Sequence, residues 1–353
     1  MSFRKNIEKL EGYVPGLQLN DPEIIKLNTN ENPYSVPKQV WDAIDGEFYD
    51  HLRLYPDPTS QLLREKIAQY YSVGVDQILV GNGSDDLLRV IFQAIVEKEK
   101  KIVLTKPTYS LFPILAKIQD AQIIEIEVGL DSVLPDKIPD ADLLVIASPN
   151  APSGAVFSKK QIKKCCESFD GMVLLDEAYA DFAQENCLDL INEFANLMIT
   201  RSMSKSFSLA ALRIGYLFSQ SENIKELNKV RDSYNLNHLS QIAAMAAMDS
   251  IQLIQTNIQK VIESRNQFEK VLKELDFEVV PSQANFVFAK PSWISAKELY
   301  EKLLEKKVLI RYFSDSDISD YVRISIGAEY QMDVLEKRIL ELKNERASLC
   351  QKK

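Results

Sequence analysis

Between about residue 60 and residue 220, short apolar runs alternate with longer stretches of helical periodicity, and this alternation restricts the chain more than any other feature. The runs fall at 77–80, 101–104, 123–128, 143–147, 173–176, 197–200 and 214–218. They are too short for helices and mostly continuous rather than alternating, the pattern of strands covered on both faces. Helical patterns at 84–96 and 110–119 separate some of them. The expectation is an α/β fold of three layers, with helices on both sides of a mostly parallel sheet. In such sheets ligands bind beyond the carboxyl ends of the strands, so the loops there are the first places to look for chemistry.

From 239 to 275 the pattern is helical with no glycine or proline, either one long helix or two joined by a short break. A smaller α+β unit follows, with strands expected at 277–280, 286–289, 308–311 and 322–325 and helices at 296–305 and 331–344. The expected division is a large cofactor-binding domain over 30–245. Residues 1–29 and 246–353 would form a small domain with an N-terminal arm.

Composition excludes several function classes. A formal net charge of −9 over 353 residues leaves no basic surplus for a nucleic-acid partner. Cys165, Cys166, Cys187 and Cys350 form no C-x-x-C pair, and His51 and His238 are the two histidines, so neither a metal site nor a disulfide framework is expected. That usage suits a reducing cytoplasm. The N-terminus has no signal-peptide pattern, and no apolar stretch is long enough for a membrane span.

The strand ends carry the chemistry. Lys205 lies in Thr200-Arg201-Ser202-Met203-Ser204-Lys205-Ser206-Phe207, with Arg213 eight residues on. A lysine among hydroxyls beside a fixed cation suits a cofactor with an aldehyde and a phosphate, and pyridoxal 5′-phosphate (PLP) carries both on one ring. Lys205 would form the Schiff base, while Ser202, Ser204 and Arg213 would hold the phosphate. Taken alone, such a segment is also ordinary solvated loop. Asp176 ends one strand and precedes Glu177-Ala178-Tyr179. An acid there could keep the pyridine nitrogen protonated, and Tyr179 could hydrogen-bond the phenolic oxygen; a helix-capping acid is the plainer alternative. Ser148-Pro149-Asn150-Ala151-Pro152-Ser153-Gly154 is a rigid turn that would present Asn150, or simply a surface turn. Gly81-Asn82-Gly83-Ser84-Asp85-Asp86 joins a strand to a helix and could cradle phosphate on its N–H groups. It also resembles a dinucleotide fingerprint, but Asp86 replaces the third glycine and places charge where a pyrophosphate would sit. Tyr109, in Lys106-Pro107-Thr108-Tyr109, could stack on a planar ring or merely pack in the core.

In this order on successive strand ends, the motifs resemble the fold type I PLP enzymes (aspartate aminotransferase-like), and among them the histidinol-phosphate aminotransferase group. Supporting segments are Gly12-Tyr13-Val14-Pro15-Gly16, Leu27-Asn28-Thr29-Asn30-Glu31-Asn32-Pro33-Tyr34, Arg53-Leu54-Tyr55-Pro56-Asp57, Leu309-Ile310-Arg311-Tyr312-Phe313 and Tyr321-Val322-Arg323-Ile324-Ser325-Ile326-Gly327. The resemblance implies Lys205, Asp176 and Tyr179 as catalytic residues. It implies cofactor contacts from Ser84, Asp85, Tyr109, Asn150, Ser202, Ser204 and Arg213, and from Tyr55 across a homodimer with shared active sites. Arg323 would clamp the amino donor's α-carboxylate, Arg311 with Tyr13 would bind a phosphate on the acceptor, and Asn32 belongs to the substrate set. The implied reaction moves an amino group between L-glutamate and a phosphorylated ketone, of imidazolylacetol phosphate type or smaller, such as dihydroxyacetone phosphate. A decarboxylase of a phosphorylated amino acid is the alternative on the same scaffold. A PLP-sensing regulator is disfavoured, since the stretch before Asp21 is too short for a DNA-binding segment. Ala151, Ser153 and Ala211 depart from the group's usual pattern.

Overall fold

The computed structural model describes residues 3–46, 52–315 and 317–351. The seven apolar runs are strands: β1 (Ile78–Asn82), β2 (Lys101–Lys106), β3 (Gln122–Glu127), β4 (Leu143–Ala147), β5 (Met172–Asp176), β6 (Leu197–Ser202) and β7 (Ile214–Phe218). They form one sheet in the order β1-β7-β6-β5-β4-β2-β3, parallel except for β7, which runs against both neighbours. Six strands therefore end on one edge of the sheet, and β7 begins there. Alternate side chains enter two cores. Val103, Leu144, Ile146, Val173, Leu175 and Ile199 face one side; Ile102, Leu104, Leu143, Val145, Leu174 and Met198 face the other. Burial on both faces is why the runs are continuously apolar. β6 extends beyond Thr200 because Arg201 and Ser202 pair with Tyr216 and Gly215.

Helices α1 (Lys38–Gly46), α2 (Gln61–Tyr71), α3 (Ser84–Ile95), α4 (Leu111–Ile118), α5 (Lys159–Ser168) and α6 (Ser221–Asn228) accompany this sheet. The long helical stretch is two helices, α7 (His238–Asp249) and α8 (Ile251–Glu274), broken at Ser250. α9 (Ala296–Glu305) starts where the Ser295 hydroxyl accepts the Glu298 N–H at 3.2 Å, a side-chain N-cap. The final helix α10 (Glu329–Gln351) is longer at both ends than its periodicity suggested. Among the described residues no helix is long and apolar enough to cross a membrane.

A second sheet, all antiparallel, has the order β10-β11-β9-β8, with β8 (Phe277–Val280), β9 (Phe286–Pro291), β10 (Arg311–Tyr312) and β11 (Val322–Ser325). The strand expected at 308–311 is divided. Val308–Leu309 pairs in parallel with Ile25–Lys26, and after the buried Ile310 the chain joins β11 at Arg311. The N-terminal segment is thereby sewn to the second sheet, with Leu27 N–H donating to Leu309 O (2.7 Å) and Ser325 N–H to Leu27 O (2.9 Å). Residues 28–32 then continue across to the strand ends of the first sheet, which is where the site lies.

Candidate active site

A cavity of about 420 Å³ opens at the edge where the six strands end, roofed by the second sheet and the N-terminal segment. β5 delivers Asp176, β6 delivers Ser202, Ser204 and Lys205, and β7 begins just after Arg213. The loop after β1 brings Ser84 and Asp85, and the loop after β2 brings Tyr109. Tyr13, Tyr179, Arg311 and Arg323 line the same space. Asn150 is fully buried in the turn after β4; its amide donates to Pro107 O (2.9 Å), and its Oδ1 is buried without a partner.

The region around Arg213 is packed tightly. Its Nη2 donates to the Asp85 carboxylate at 3.0 Å and its Nη1 to the Ser204 hydroxyl at 3.4 Å. Gly83 has φ +86°, and a Cβ there would meet the guanidinium at 2.5 Å. A Cβ at Gly215 would meet backbone atoms of Gly83 and Ser84 at 2.4 Å, so neither position admits a side chain. The result is a concave patch of N–H groups, hydroxyls and one guanidinium.

Asp176 is buried, and Thr200, its register partner on β6, donates a hydroxyl to it at 3.0 Å. Burial pushes the carboxyl up to about 7, opposed by the Thr200 hydrogen bond and reinforced by nearby Asp85. Such an acid gains greatly from a cation placed beside it. Lys205 Nζ donates to Thr29 O at 3.1 Å, and its backbone carbonyl accepts from Asn32 Nδ2 at 2.9 Å. Asn32 thus braces the lysine from behind and does not line the cavity. Beneath the site, Arg201 and Glu177 form a fully buried ion pair at 2.6 Å that ties β6 to the β5 loop.

Arg311 and Arg323 sit directly opposite each other on β10 and β11. Like charges in register repel, and among the described residues no carboxylate lies within ion-pair distance of either. Arg323 is half-buried between the rings of Phe286 (5.2 Å) and Phe313 (5.5 Å), and Arg311 also lies over Phe313 (5.3 Å). Arg323 gives one N–H to Asn28 O at 3.1 Å, while its Nε is buried without a partner. Two cations are held facing a cavity with donors unspent, an arrangement made for anions.

The sequence profile for aminotransferase class I and II matches residues 22–339. The chain belongs to that family. Histidinol-phosphate aminotransferase from Crocosphaera subtropica is 41% identical to this aminotransferase, over 98% of this chain and 99% of its own. In three dimensions the chain is similar to histidinol-phosphate aminotransferase from Sinorhizobium meliloti in complex with pyridoxal-5′-phosphate. That likeness has a TM-score of 0.87 at 22% identity and covers 97% of this chain and 98% of that one. L-threonine-O-3-phosphate decarboxylase from Porphyromonas gingivalis shares the fold as well, with a TM-score of 0.81 at 22% identity over 90% of this chain and 99% of that one.

Several residues of the aminotransferase's site were not singled out by sequence reasoning. Thr200 reaches Asp176 only through strand register, and Thr29 touches Lys205 only through a carbonyl, which no side-chain pattern reveals. Asn28 and Asn30 stood inside a recognised motif, but their contacts with Arg323 and Tyr179 span 295 and 149 residues. Among the described residues no group of His, Cys, Asp and Glu could hold a metal ion; His51 and the side chain of Cys350 lie outside them.

Proposed function

We propose that this PLP-dependent aminotransferase moves an amino group between L-glutamate and a small phosphorylated ketone of the imidazolylacetol phosphate type. The observation that carries this reading is one cavity holding a lysine, a buried carboxyl and two unneutralised arginines in register. The full-length relationship to a histidinol-phosphate aminotransferase supports the substrate class, whereas the likeness to a decarboxylase is one of fold. Bound PLP supplies an aldehyde that takes up the amino group and a protonated ring that withdraws electrons from the substrate's Cα.

The residues present fit that group. Lys205 Nζ would hold the aldehyde carbon and, once released, carry a proton to and from the substrate's Cα. Asp176 would hold the proton on the pyridine nitrogen; Thr200 donates a hydroxyl to it, and no cation among the described residues pairs with it. The backbone N–H groups of Ser84 and Asp85, with Ser202, Ser204 and Arg213, would take the phosphate, and Arg213 would leave or share the Asp85 carboxylate to do so. Tyr109 would stack on the ring, while Tyr179 and Asn150 would reach its phenolic oxygen, Asn150 through the second N–H of the amide that already donates to Pro107 O. Arg323 offers a planar fork for the donor's α-carboxylate, a geometry lysine cannot reproduce. Arg311 and Tyr13 would take the acceptor's phosphate, and Arg311 also the distal carboxylate of glutamate.

The two arginines separate in half-reactions. Arg323→Ala should mainly slow the glutamate half-reaction, by roughly 2–5 kcal/mol for a desolvated ion pair. Arg311→Ala should raise KM for the phosphorylated ketone most. Single-turnover absorbance traces of each half-reaction check this. An Arg311→Ala protein that handles the phosphorylated substrate normally would remove the phosphate-ester assignment and leave the cofactor assignment standing.

The same reading makes the protein a cytoplasmic homodimer with shared sites. Tyr55 is 80% exposed, does not line this chain's cavity, and stacks on Tyr234 with ring centroids 4.4 Å apart. Trp41, Leu54 and Leu62 are also exposed. Tyr55 of each subunit would complete the other's phosphate site. Mixing inactive Tyr55→Phe and Lys205→Ala proteins should then restore part of the activity, because one site in each heterodimer is free of both changes. Full activity in a sedimenting monomer would refute the shared site.

A further inference from the structure

The reading above gives Tyr179 the cofactor's phenolic oxygen, and something must decide which way that hydroxyl's proton points. We infer that Asn30 is a positioning residue: its side-chain amide donates to the Tyr179 hydroxyl and reserves the tyrosine's own proton for the cofactor. This rests on the proposed PLP function and adds a residue to it.

Asn30 is buried at 1% exposure, with φ +58°, a conformation uncommon outside glycine. Three contacts hold it there. Its backbone N–H donates to the Ser325 hydroxyl oxygen at 2.8 Å, that hydroxyl donates to Asn30 Oδ1 at 2.9 Å, and Asn285 Nδ2 donates to Asn30 O at 2.9 Å. Ser325 has a single proton, and with its oxygen already accepting from the backbone, that proton goes to Oδ1. In this arrangement the NH₂ end faces Tyr179, with Nδ2 3.0 Å from the phenol oxygen, and Oδ1 gives the Ser325 proton its acceptor. An amide nitrogen only donates, so the tyrosine oxygen accepts and its proton must go elsewhere. Tyr179 lines the cavity, and among the described residues no acceptor takes that proton.

The chain Ser325 to Asn30 to Tyr179 is polarised in one direction, so each donor strengthens the next. Tyr179 becomes a better donor to an oxygen in the cavity than a freely rotating phenol would be. Ser325 lies two residues from Arg323 on β11, so the strand that presents the carboxylate clamp also anchors this relay.

The test is the pH titration of the visible absorption band formed when the protein is loaded with PLP. A hydrogen bond donated to the phenolic oxygen lowers the apparent pKa of that titration, because it draws off charge that otherwise stabilises the neighbouring proton. Tyr179→Phe should raise that pKa by roughly one unit or more, and Asn30→Gly by about half a unit to one unit. Glycine is chosen because it adopts φ +58° without strain and removes only the amide. In a Tyr179→Phe background, Asn30→Gly should add no further shift. The charged groups that line the cavity from the other elements, among them Asp85, Asp176, Lys205, Arg213, Arg311 and Arg323, are untouched by these changes. If Asn30→Gly does not fold, as judged by thermal melting, Ser325→Ala unpins Oδ1 and should move the pKa the same way. A folded Asn30→Gly protein with a wild-type titration, or a shift that persists in full without the tyrosine hydroxyl, overturns the assignment while the PLP reading stands. A wild-type protein that forms no band overturns both.

Discussion

Lys205→Ala is expected to abolish the visible absorption band of the PLP-loaded protein and to lower turnover by at least about 10⁴-fold, about 5 kcal/mol of barrier. The wild-type protein should be yellow, and borohydride should bleach it by fixing the cofactor to Lys205. Stability should change little. Lys205 Nζ makes one hydrogen bond, to Thr29 O, whereas Asn32 grips the backbone carbonyl and stays in place when the amine is removed. Chemical denaturation with and without PLP separates the two effects. A Lys205→Ala protein that keeps its band would place the reactive amine elsewhere, and a wild-type protein unable to take up PLP would end the functional reading.

Asp176→Asn should retain PLP but lose turnover by roughly 10³-fold or more. An amide cannot hold a proton on the pyridine nitrogen, so the ring no longer stabilises negative charge at Cα. The pH dependence of stability offers an independent readout. Burial raises the folded-state value from the ordinary 3.8 to about 7, so the carboxyl is comfortable when protonated and costly when ionised. For a group raised in the folded state, the stability it supports is fully present below the unfolded value of about 4 and declines as pH rises through about 7. Cofactor-free protein should therefore be less stable at pH 8 than at pH 5, by on the order of 2–3 kcal/mol if nothing relaxes. Asp176→Asn should flatten that decline, and PLP should reduce it by setting a cation beside the carboxylate. A near-wild-type turnover in the Asn protein, with an unchanged pH profile of stability, would show that the acid sits elsewhere.

Strand positions on the large sheet were legible because every strand but the edge strand β3 is buried on both faces, which forces a continuous apolar run. Boundaries were less so. Arg201 and Ser202 read as a loop, yet both are buried, since β7 pairs with them and Glu177 neutralises the arginine. The strand expected at 308–311 is shared between two sheets, and a turn of direction at Ile310 leaves no mark in an apolar run. Lys205, Asp176 and Tyr109 stood out by following the carboxyl ends of strands, but each alone had a plain structural reading, and their roles came from the resemblance of the ordered set; the structure brings them with Arg213 around one cavity.

The sequence by itself determined the layered α/β fold, the order of motifs along the strand ends and the chemical types gathered there, since periodicity and residue chemistry are local properties. Only the tertiary structure decided how those groups face one another. It set Arg311 opposite Arg323, gave Asp176 its Thr200 partner and its raised pKa, and brought residues 28–32 against Lys205, Tyr179 and Arg323. These are consequences of strand register, burial and contacts between segments up to 295 residues apart, none of which is encoded in the spacing of neighbouring residues.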